Sequence, residues 1–459
     1  MGGGCHHDDD TTAVSAEPAA IPFGSPMRRL HFSFAPSYTP LNHGSFGTYP
    51  VAVRDYQRSL QAETEARPDT EVRIKYPHRL RDARQAVASL LGSHTEEVVF
   101  VPNALTAINT VLRNLEYQDG DVILYFSTAY NGCLSTIMSL EDTTPVRGCC
   151  IDLVYPIDDD DILAKVVAAL SRLQQEGSQV VLAMFDTILT FPGVRFPWES
   201  MVQLCRKNSI LTCVDGAHGI GHLDLTHLAR VAPDFFISNC YKWLMTPRGC
   251  AILYVPSRNH HLIKTTFPTT GVYLSEEDRH LLSPTEYFVR LFERVSTIDT
   301  SPYLCVTKAL KFRTEVCGGE ERIRQYSVSL AKRGGEAMAE LMGTGVLENK
   351  NQTLRECYFA MVRLPLNIDK EDDTRGDIPR RDAQAVADWM TYRSVVDFDS
   401  FIPVRYYAGC IWSRLSSQIY LEIRDFVWAA KVLLELCARA KTGDWKRLGA
   451  DEERMLTSR

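Results

Sequence analysis

The chain has 459 residues, of which 45% are hydrophobic and 23% are charged, and its formal net charge at pH 7 is -7. A chain of this length and composition can bury a large core, and two to three domains are expected. The mild acidity gives no reason to expect nucleic acid or an anionic membrane as a partner. Charged residues interrupt every apolar window before it could span a bilayer, so no transmembrane helix is predicted.

The cysteines and the N-terminal segment carry little functional signal. Thirteen cysteines are scattered along the chain, and with no secretory signal before them we expect reduced thiols in a cytoplasmic protein. The opening MGGGCHHDDD suggests either a lipidated glycine or a metal cluster. However, His6 stands where lipidation needs Ser or Thr, and nothing around the histidines builds a metal site. A disordered tail over residues 1–21 and no metal are therefore predicted.

The first half of the chain alternates helical and strand-like patterns. Apolar residues at three- and four-residue spacing predict helices over 51–66 and 77–91, with Gly92 as the C-cap of the second. The acidic run 158–161 could bind calcium, but acids also favour the positive end of a helix dipole, and a helix start is preferred. Buried strands are predicted in VVFV, DVILYF and QVVLAMFD, and a further apolar strand is predicted in RGCCIDLVYP after Cys149 and Cys150.

The second half begins with a helix at 198–207 and ends with a separate group of elements. Short apolar runs bounded by turn signals predict buried strands at 209–214, 235–238 and 250–255. After a long connection, a helical pattern runs from 307 to 342. The final predicted elements are a strand in ECYFAMVRLPL, a helix over 381–391 and a strand pair around Phe401 and Ile411.

An acid and an amine follow neighbouring predicted strands in the middle of the chain. Asp215 directly follows the run at 209–214, and Lys242 follows 27 positions later (242 minus 215). Taken singly, Asp215 could cap a turn and Lys242 could be a surface residue. Together they are what a pyridoxal 5′-phosphate (PLP) site needs, because the lysine binds the cofactor covalently and the carboxylate keeps the pyridine nitrogen protonated. The combined pattern of VDGAHGIGHLDL, SNCYKW and PRGCAILYV is far more specific than either residue.

These motifs resemble the class V aminotransferase family of fold-type I PLP enzymes. Within it, LNHGSFG, EARP and WSRLSSQIYLEI resemble a fungal subgroup that contains ergothioneine-pathway C-S lyases and loline-pathway PLP enzymes. The resemblance covers about residues 22 to 440. It implies an α/β fold with a large mixed-sheet, three-layer domain over 22–305 and a small C-terminal α/β domain over 306–459.

The resemblance also implies roles for individual residues. Lys242, Asp215 and Tyr130 are expected to be catalytic, and Tyr130 falls where the family stacks a ring on the pyridine. Arg414 is expected to bind the substrate carboxylate, since a planar fork of donors suits a carboxylate. The loop at 41–47 is expected to lie against the substrate through Asn42, His43 and Gly44. Besides Lys242, Asp215 and Tyr130, the implied cofactor contacts are Asn103, Ala104, Leu105, Thr190, His218, Asn239, Tyr241 and Thr297.

Two of these contacts have further consequences. The backbone N-H groups at a helix start around Ala104 can bind a phosphate without any special side chain. Thr297 matches a family residue that reaches the cofactor of the partner subunit, so a homodimer with shared active sites is expected.

Three functions remain open on the sequence. The first is a PLP-dependent lyase that cleaves the C-S bond of hercynylcysteine sulfoxide, or a related cysteine S-conjugate, in ergothioneine biosynthesis. The second is an epimerase or cyclase of secondary metabolism, of the loline or isopenicillin N epimerase type, which the acidic segment 269–286 would permit. The third is a cofactor-free binding protein, against which the joint presence of Asp215, Lys242, Tyr130 and Arg414 argues.

Overall fold

The computed structural model describes residues 21–369 and 376–446, so almost all of the predicted tail lies outside the described residues. Seven strands form a large sheet in the order β1-β7-β6-β5-β4-β2-β3. Strand β7 is antiparallel to β1 and β6, and the other neighbours are parallel, which confirms the predicted mixed sheet. The strands are β1 (Val98–Val101), β2 (Asp121–Phe126), β3 (Arg147–Ile151), β4 (Gln179–Asp186), β5 (Leu211–Asp215), β6 (Phe235–Asn239) and β7 (Ala251–Tyr254).

Both faces of the large sheet are covered by helices. In β1, Val98 and Phe100 pack into one apolar cluster while Val99 and Val101 pack into another. Alternate side chains of a strand point to opposite faces, so a strand that is apolar throughout is buried on both. The first cluster is covered by Val51–Ala66, Tyr76–Leu91, Asp159–Gln175, Trp198–Lys207 and Ser301–Glu315, and the second by Ala104–Asn114, Asn131–Glu141 and Pro284–Glu293.

The C-terminal part contains a separate antiparallel sheet in the order β8-β10-β9, where β8 is Phe359–Arg363, β9 is Val404–Tyr407 and β10 is Cys410–Ser416. One face of this sheet packs on its own apolar cluster. The helices that contribute to that cluster are Glu320–Met342, Ala383–Phe398 and Ile423–Lys441.

Short helices complete the described chain. None of the helices in residues 21–369 and 376–446 has the length and apolar character needed to cross a membrane. The α-helical turns are Ser25–His31, His43–Phe46, Pro68–Thr70, Leu228–Val231 and Cys240–Trp243; Glu71–Lys75 is a π-helix; and the 3-10 turns are Thr95–Glu97, Ser257–Leu262, Arg279–Leu281, Arg380–Asp382 and Asp444–Lys446.

Three predicted elements are wrong in detail. The strand predicted after Cys149 and Cys150 is instead Arg147–Ile151, which contains both cysteines. The pattern predicted as one helix over 307–342 forms two helices, Ser301–Glu315 and Glu320–Met342. Gly318 and Gly319 separate them with φ angles of 79° and 94°, a left-handed conformation that ends a helix and favours glycine. The segment predicted as the loop 41–47 contains one helical turn. The proposed domain boundary after residue 305 falls inside the first of the two helices and stays a prediction.

Candidate active site

Polar side chains meet where three neighbouring strands of the large sheet end. Strand β4 ends at Asp186, β5 at Asp215 and β6 at Asn239, and the first two residues are register partners across the sheet. Lys242 follows β6 directly, in the turn Cys240–Trp243. All four side chains are buried. The structure therefore places Lys242 and Asp215 at the same edge of the sheet, where α/β proteins bind ligands.

The amine of Lys242 lies in a site that favours its neutral form. Burial lowers the pKa of Lys242 to about 8, Arg414 acts in the same direction, and the carboxylates of Asp215 and Asp186 oppose the shift. The Nζ atom lies 3.3 Å from Nε2 of His218. A lysine with a lowered pKa is a better nucleophile near neutral pH, because more of the amine carries a free lone pair.

His218 is held in one tautomer by the indole beside it. The Trp243 Nε1-H donates to Nδ1 of His218 at 3.1 Å. Because an indole nitrogen can only donate, Nδ1 carries no proton and Nε2 carries one. Burial lowers the pKa of His218 well below its usual value, and the charge of Lys242 adds to this. His218 is therefore a neutral donor facing Lys242 Nζ and Thr190 Oγ1, the latter 3.4 Å away.

The carboxylate of Asp215 accepts two hydrogen bonds within the protein, and one of them comes from a weak donor. Its Oδ1 accepts the backbone N-H of Ala217 at 2.9 Å, and its Oδ2 accepts the thiol of Cys133 at 3.5 Å. Burial raises the pKa of Asp215, while the Ala217 amide, Lys242 and the Cys133 thiol lower it. A thiol is a weak donor, so Oδ2 is available to a stronger one such as a pyridinium N-H.

Asp186 is a site residue that the sequence reasoning missed. Burial, and then the neighbouring charge of Asp215, raise the pKa of Asp186 well above its usual value. Two carboxylates at adjacent strand ends cannot easily both ionise, so a charge on Asp215 disfavours the ionisation of Asp186. The available signal was the same for both, an acid as the last residue of a buried strand.

The predicted phosphate cradle is the start of the helix Ala104–Asn114. The side chain of Asn103 caps this helix by accepting the Thr106 amide at 2.9 Å. The amide of Ala104 donates to Oδ1 of Asn239, also at 2.9 Å. The Leu105 amide makes no hydrogen bond within the described residues. Of the three first amides, it is therefore the one directly open to an anion at the positive end of the helix.

Arg414 is a buried cation on β10 that has no counter-ion among the described residues. Its guanidinium donates to the Thr190 carbonyl at 2.5 Å and to Asn42 Oδ1 and Ser45 Oγ at 3.0 Å each, and it lies 4.6 Å from the centre of the Phe359 ring. Its Nε has no partner. No carboxylate of residues 21–369 or 376–446 lies within the 4.0 Å of an ion pair. Burial, and then Arg405, lower its pKa only to about 10, so the charge persists at neutral pH.

The loop residues near Arg414 contact different parts of the site. Asn42 contacts Arg414, whereas His43 supports the lysine: its Nε2 bonds the Lys242 carbonyl at 2.8 Å and its Nδ1 bonds Tyr420 Oη at 2.7 Å. Both ring nitrogens of His43 are thus engaged within the protein. The Gly44 amide donates to Ser416 Oγ at 3.0 Å, and a Cβ on Gly44 would lie 2.5 Å from the Phe359 ring.

A cavity of about 560 Å³ joins this edge of the large sheet to the small domain. Tyr130 is half exposed at the N-cap of Asn131–Glu141 and lines this cavity. Burial raises the pKa of the nearby Tyr241. Thr297 is exposed and does not line this cavity. The lining residues include Asn42, Ser45, Ser127, Tyr130, Thr190, Phe191, Asp388, Phe401, Arg405 and Arg414.

Comparison with known proteins identifies the family. The profile of the family Aminotransferase class-V matches residues 52–362. The chain belongs to the class V aminotransferase family. It is 34% identical over 439 residues to the L-cysteine desulfhydrase-like protein lolT1 of Epichloe uncinata, covering 91% of this chain and 96% of that protein. It is 32% identical over 417 residues to the hercynylcysteine sulfoxide lyase of Schizosaccharomyces pombe, covering 91% of this chain and 98% of that lyase.

A solved structure supports the fold of the class V family. The cystine C-S lyase C-DES, in complex with its reaction product cysteine persulfide, superposes with a TM-score of 0.68 at 16% identity, over 86% of this chain and 97% of that chain. The likeness confirms the predicted fold class.

Class V aminotransferases depend on PLP, and the residues present fit it. Lys242 would hold the cofactor covalently through Nζ. The ionised Asp215 would accept the pyridinium N-H at Oδ2, which only a thiol bonds here. The Leu105 amide and the helix start behind it would take the phosphate. The predicted cofactor is thereby confirmed, and the chain is a PLP-dependent enzyme.

Proposed function

We propose that this enzyme is a C-S lyase that cleaves hercynylcysteine sulfoxide by β-elimination in ergothioneine biosynthesis. The observation that carries the proposal is Arg414, a buried guanidinium in the cavity wall that pairs with no carboxylate among the described residues. Burying an unpaired charge is costly, and a substrate carboxylate would offset that cost. The names of the two fungal relatives support C-S bond cleavage as the reaction class.

Each residue of the site has a separate role in the proposed reaction. PLP, when bound, supplies an electron sink for the pair of electrons left at the substrate α carbon. Arg414 binds the α-carboxylate through the fork of its guanidinium and so orients the substrate. Lys242, whose lowered pKa favours the neutral amine, takes the α proton at Nζ. The lone pair of His218 Nδ1 already accepts the Trp243 indole N-H, and Asp215 would accept the pyridinium N-H, so neither is free to take that proton.

Elimination then breaks the C-S bond at the β carbon, and the bonding pair leaves with sulfur. The leaving sulfenate takes one proton, for which we propose the phenol of Tyr130, half exposed in the same cavity. The remaining aminoacrylate is hydrolysed to pyruvate and ammonia. The sulfoxide makes the sulfur a better leaving group than the thiolate of free cysteine.

We further propose that the enzyme works as a cytoplasmic homodimer. All cysteines of the described residues are free, which fits a reducing compartment. Ile298 and Phe267, which are 49% and 44% exposed, line one surface pocket beside the exposed Thr297, and adjoining exposed apolar side chains favour contact with a second subunit. Thr297 would then contribute to the phosphate site of the partner subunit.

The test is product analysis after incubation of the PLP-loaded enzyme with hercynylcysteine sulfoxide. Wild type is expected to release pyruvate and the sulfur product in equal amounts, and Lys242→Ala is expected to release neither. Arg414→Gln should lower kcat/KM by roughly 10- to 100-fold, the equivalent of about 1.5–3 kcal/mol for hydrogen bonds to a charged group. Recovery of substrate with inverted α configuration and no pyruvate would instead establish an epimerase.

A further inference from the structure

We propose that the small domain adds a second charged subsite to the active-site cavity, in which Arg405 and Asp388 bind a zwitterionic group carried on the substrate sulfur. The inference rests on the proposed function, because it assigns the part of the cavity beyond the α-carboxylate. It makes the preferred substrates cysteine S-conjugates whose substituent has both a carboxylate and a cationic nitrogen.

The register of the small sheet directs Arg405 and Arg414 to the same side. Arg405 on β9 is paired directly with Trp412 on β10, and Arg414 lies two residues further along β10. Directly paired residues, and residues two apart on one strand, share a face. Diagonal neighbours of this kind lie roughly 7–8 Å apart, and their Cβ atoms are somewhat closer. Both side chains line the cavity, so two carboxylates of one substrate can each meet a guanidinium.

Arg405 is an exposed residue of the cavity wall, and no carboxylate of the described residues neutralises it. Its guanidinium lies 5.7 Å from the centre of the Phe191 ring, a cation-π contact with the cavity wall. In the part of the chain that the structure describes, no carboxylate lies within 4.0 Å of it. The pKa of Arg414 is lowered first by burial and second by the charge of Arg405. The two cations therefore act on each other across the cavity, and an anionic ligand would relieve that repulsion.

Asp388 gives the same cavity a negative charge. It lies half-buried on the helix Ala383–Phe398, and its Oδ1 accepts the Gln384 side-chain amide at 3.1 Å. It forms no ion pair with Arg405 or Arg414, both of which are described. A wall with unpaired charges of both signs is complementary to a group that carries both signs, as an amino-acid moiety does. A substrate such as free L-cysteine has no atoms to reach it.

The experiment compares three sulfoxides in the PLP-loaded enzyme. S-propyl-L-cysteine sulfoxide has an uncharged substituent, S-(2-carboxyethyl)-L-cysteine sulfoxide adds a carboxylate, and L-cystathionine sulfoxide adds a carboxylate and an ammonium group. Apparent Kd is measured from the change in cofactor absorbance on binding, and kcat/KM from pyruvate release. The variants are Arg405→Met and Asp388→Asn. Arg424→Met is the matched control, since Arg424 is a 68% exposed arginine paired with Glu422 outside the cavity.

Wild type is expected to bind the carboxyethyl compound about tenfold more tightly than the propyl compound, and cystathionine sulfoxide more tightly again. Arg405→Met should abolish the first preference, Asp388→Asn should abolish only the second, and Arg424→Met should keep both. Equal Kd values for the three compounds in wild type, or preferences that survive in Arg405→Met, would overturn the inference. If these Kd ratios hold but no pyruvate forms, the lyase proposal fails while the subsite stands.

Discussion

At the residue scale, the reactivity of Lys242 depends on two opposing effects. Burial removes water from the ammonium group and lowers its pKa, whereas the carboxylate of Asp215 stabilises the ammonium and raises it. Burial is the larger effect, so the amine titrates at about 8 rather than at 10.5. Asp215 thus acts on the lysine, besides the role toward the pyridine nitrogen that we propose for it.

We predict that the rate at which the apoprotein binds PLP rises with pH and is half-maximal near pH 8, because only the neutral amine of Lys242 attacks the cofactor aldehyde. Asp215→Asn removes the carboxylate that raises this pKa, so its half-maximal pH should lie below that of wild type. The appearance of cofactor absorbance in stopped flow measures both profiles. A midpoint that is unchanged or higher in Asp215→Asn would show that Asp215 does not act on Lys242.

Several site residues could not be found from sequence because their roles depend on tertiary contacts. Asp186 is visible as an acid at the end of a strand, but its register with Asp215 requires knowing that β4 and β5 are neighbours. The thiol of Cys133 reaches Asp215 only because the helix Asn131–Glu141 packs on that part of the sheet. Neither contact leaves a periodic pattern in the chain.

At the element scale, the turn that carries Lys242 is held in place by the segment at 42–47. His43 bonds the Lys242 carbonyl, and Gly47 lies against the backbone of Tyr241. Gly47 has a φ of +62°, and a Cβ there would lie 1.8 Å from the Tyr241 carbonyl oxygen. The close approach of these two backbones sets the position of the lysine.

Gly47→Ala is therefore predicted to lower the free energy of unfolding by several kcal/mol and to impair PLP binding, because the new methyl group must displace the lysine turn. The matched control is Gly177→Ala, with a φ of +74° and no atom within 4 Å of the added Cβ. It should cost only about 1–2 kcal/mol, from backbone strain alone. Urea unfolding of the two apoproteins gives the comparison. Equal losses in both variants would mean that the contact with Tyr241 is unimportant.

Helices with a regular apolar pattern could be predicted from the sequence, whereas a helix break that depends on the backbone torsions of one or two residues could not. The helix Val51–Ala66 has the predicted bounds, and Gly92 caps the next helix with a φ of 61°. The helical spacing across 307–342, by contrast, gives no sign that Gly318 and Gly319 adopt left-handed angles and break it. Periodicity reports which face is apolar, whereas a break depends on backbone torsions at one or two residues.

At the scale of the whole molecule, the site is assembled from both parts of the chain. The large sheet provides Asp215 and Lys242, and the small sheet provides Arg414 on β10. Arg414 donates a hydrogen bond to Asn42 Oδ1, and this bond joins the small sheet to the N-terminal loop across the cavity. If Thr297 completes the site of a second subunit, as proposed, then one chain alone lacks a phosphate contact.

Subunit mixing tests the shared site. Lys242→Ala is inactive in its own site, and Thr297→Glu should be inactive because a second negative charge would repel the cofactor phosphate of its partner. In a mixed dimer, one site then has an intact lysine and an intact threonine. We predict that mixing the two variants in equal amounts, with exchange of subunits, restores about a quarter of the wild-type activity, because about a quarter of all sites are then complete.

The control for the mixing experiment is Thr143→Glu, at an exposed threonine after the helix Asn131–Glu141, which should retain full activity alone. Two results would refute a shared site: normal activity of Thr297→Glu by itself, or a mixture no more active than the sum of its separate components.

The central claim is that Lys242 is the amine that binds the cofactor, and reductive trapping tests it most directly. Borohydride reduction of the PLP-loaded protein makes the link between cofactor and lysine permanent, and peptide mass spectrometry then locates it. We predict one modified peptide, the one containing Lys242, and none after reduction of Lys242→Ala. Labelling of another lysine such as Lys264, or an unlabelled Lys242 in a yellow, PLP-loaded protein, would contradict the account.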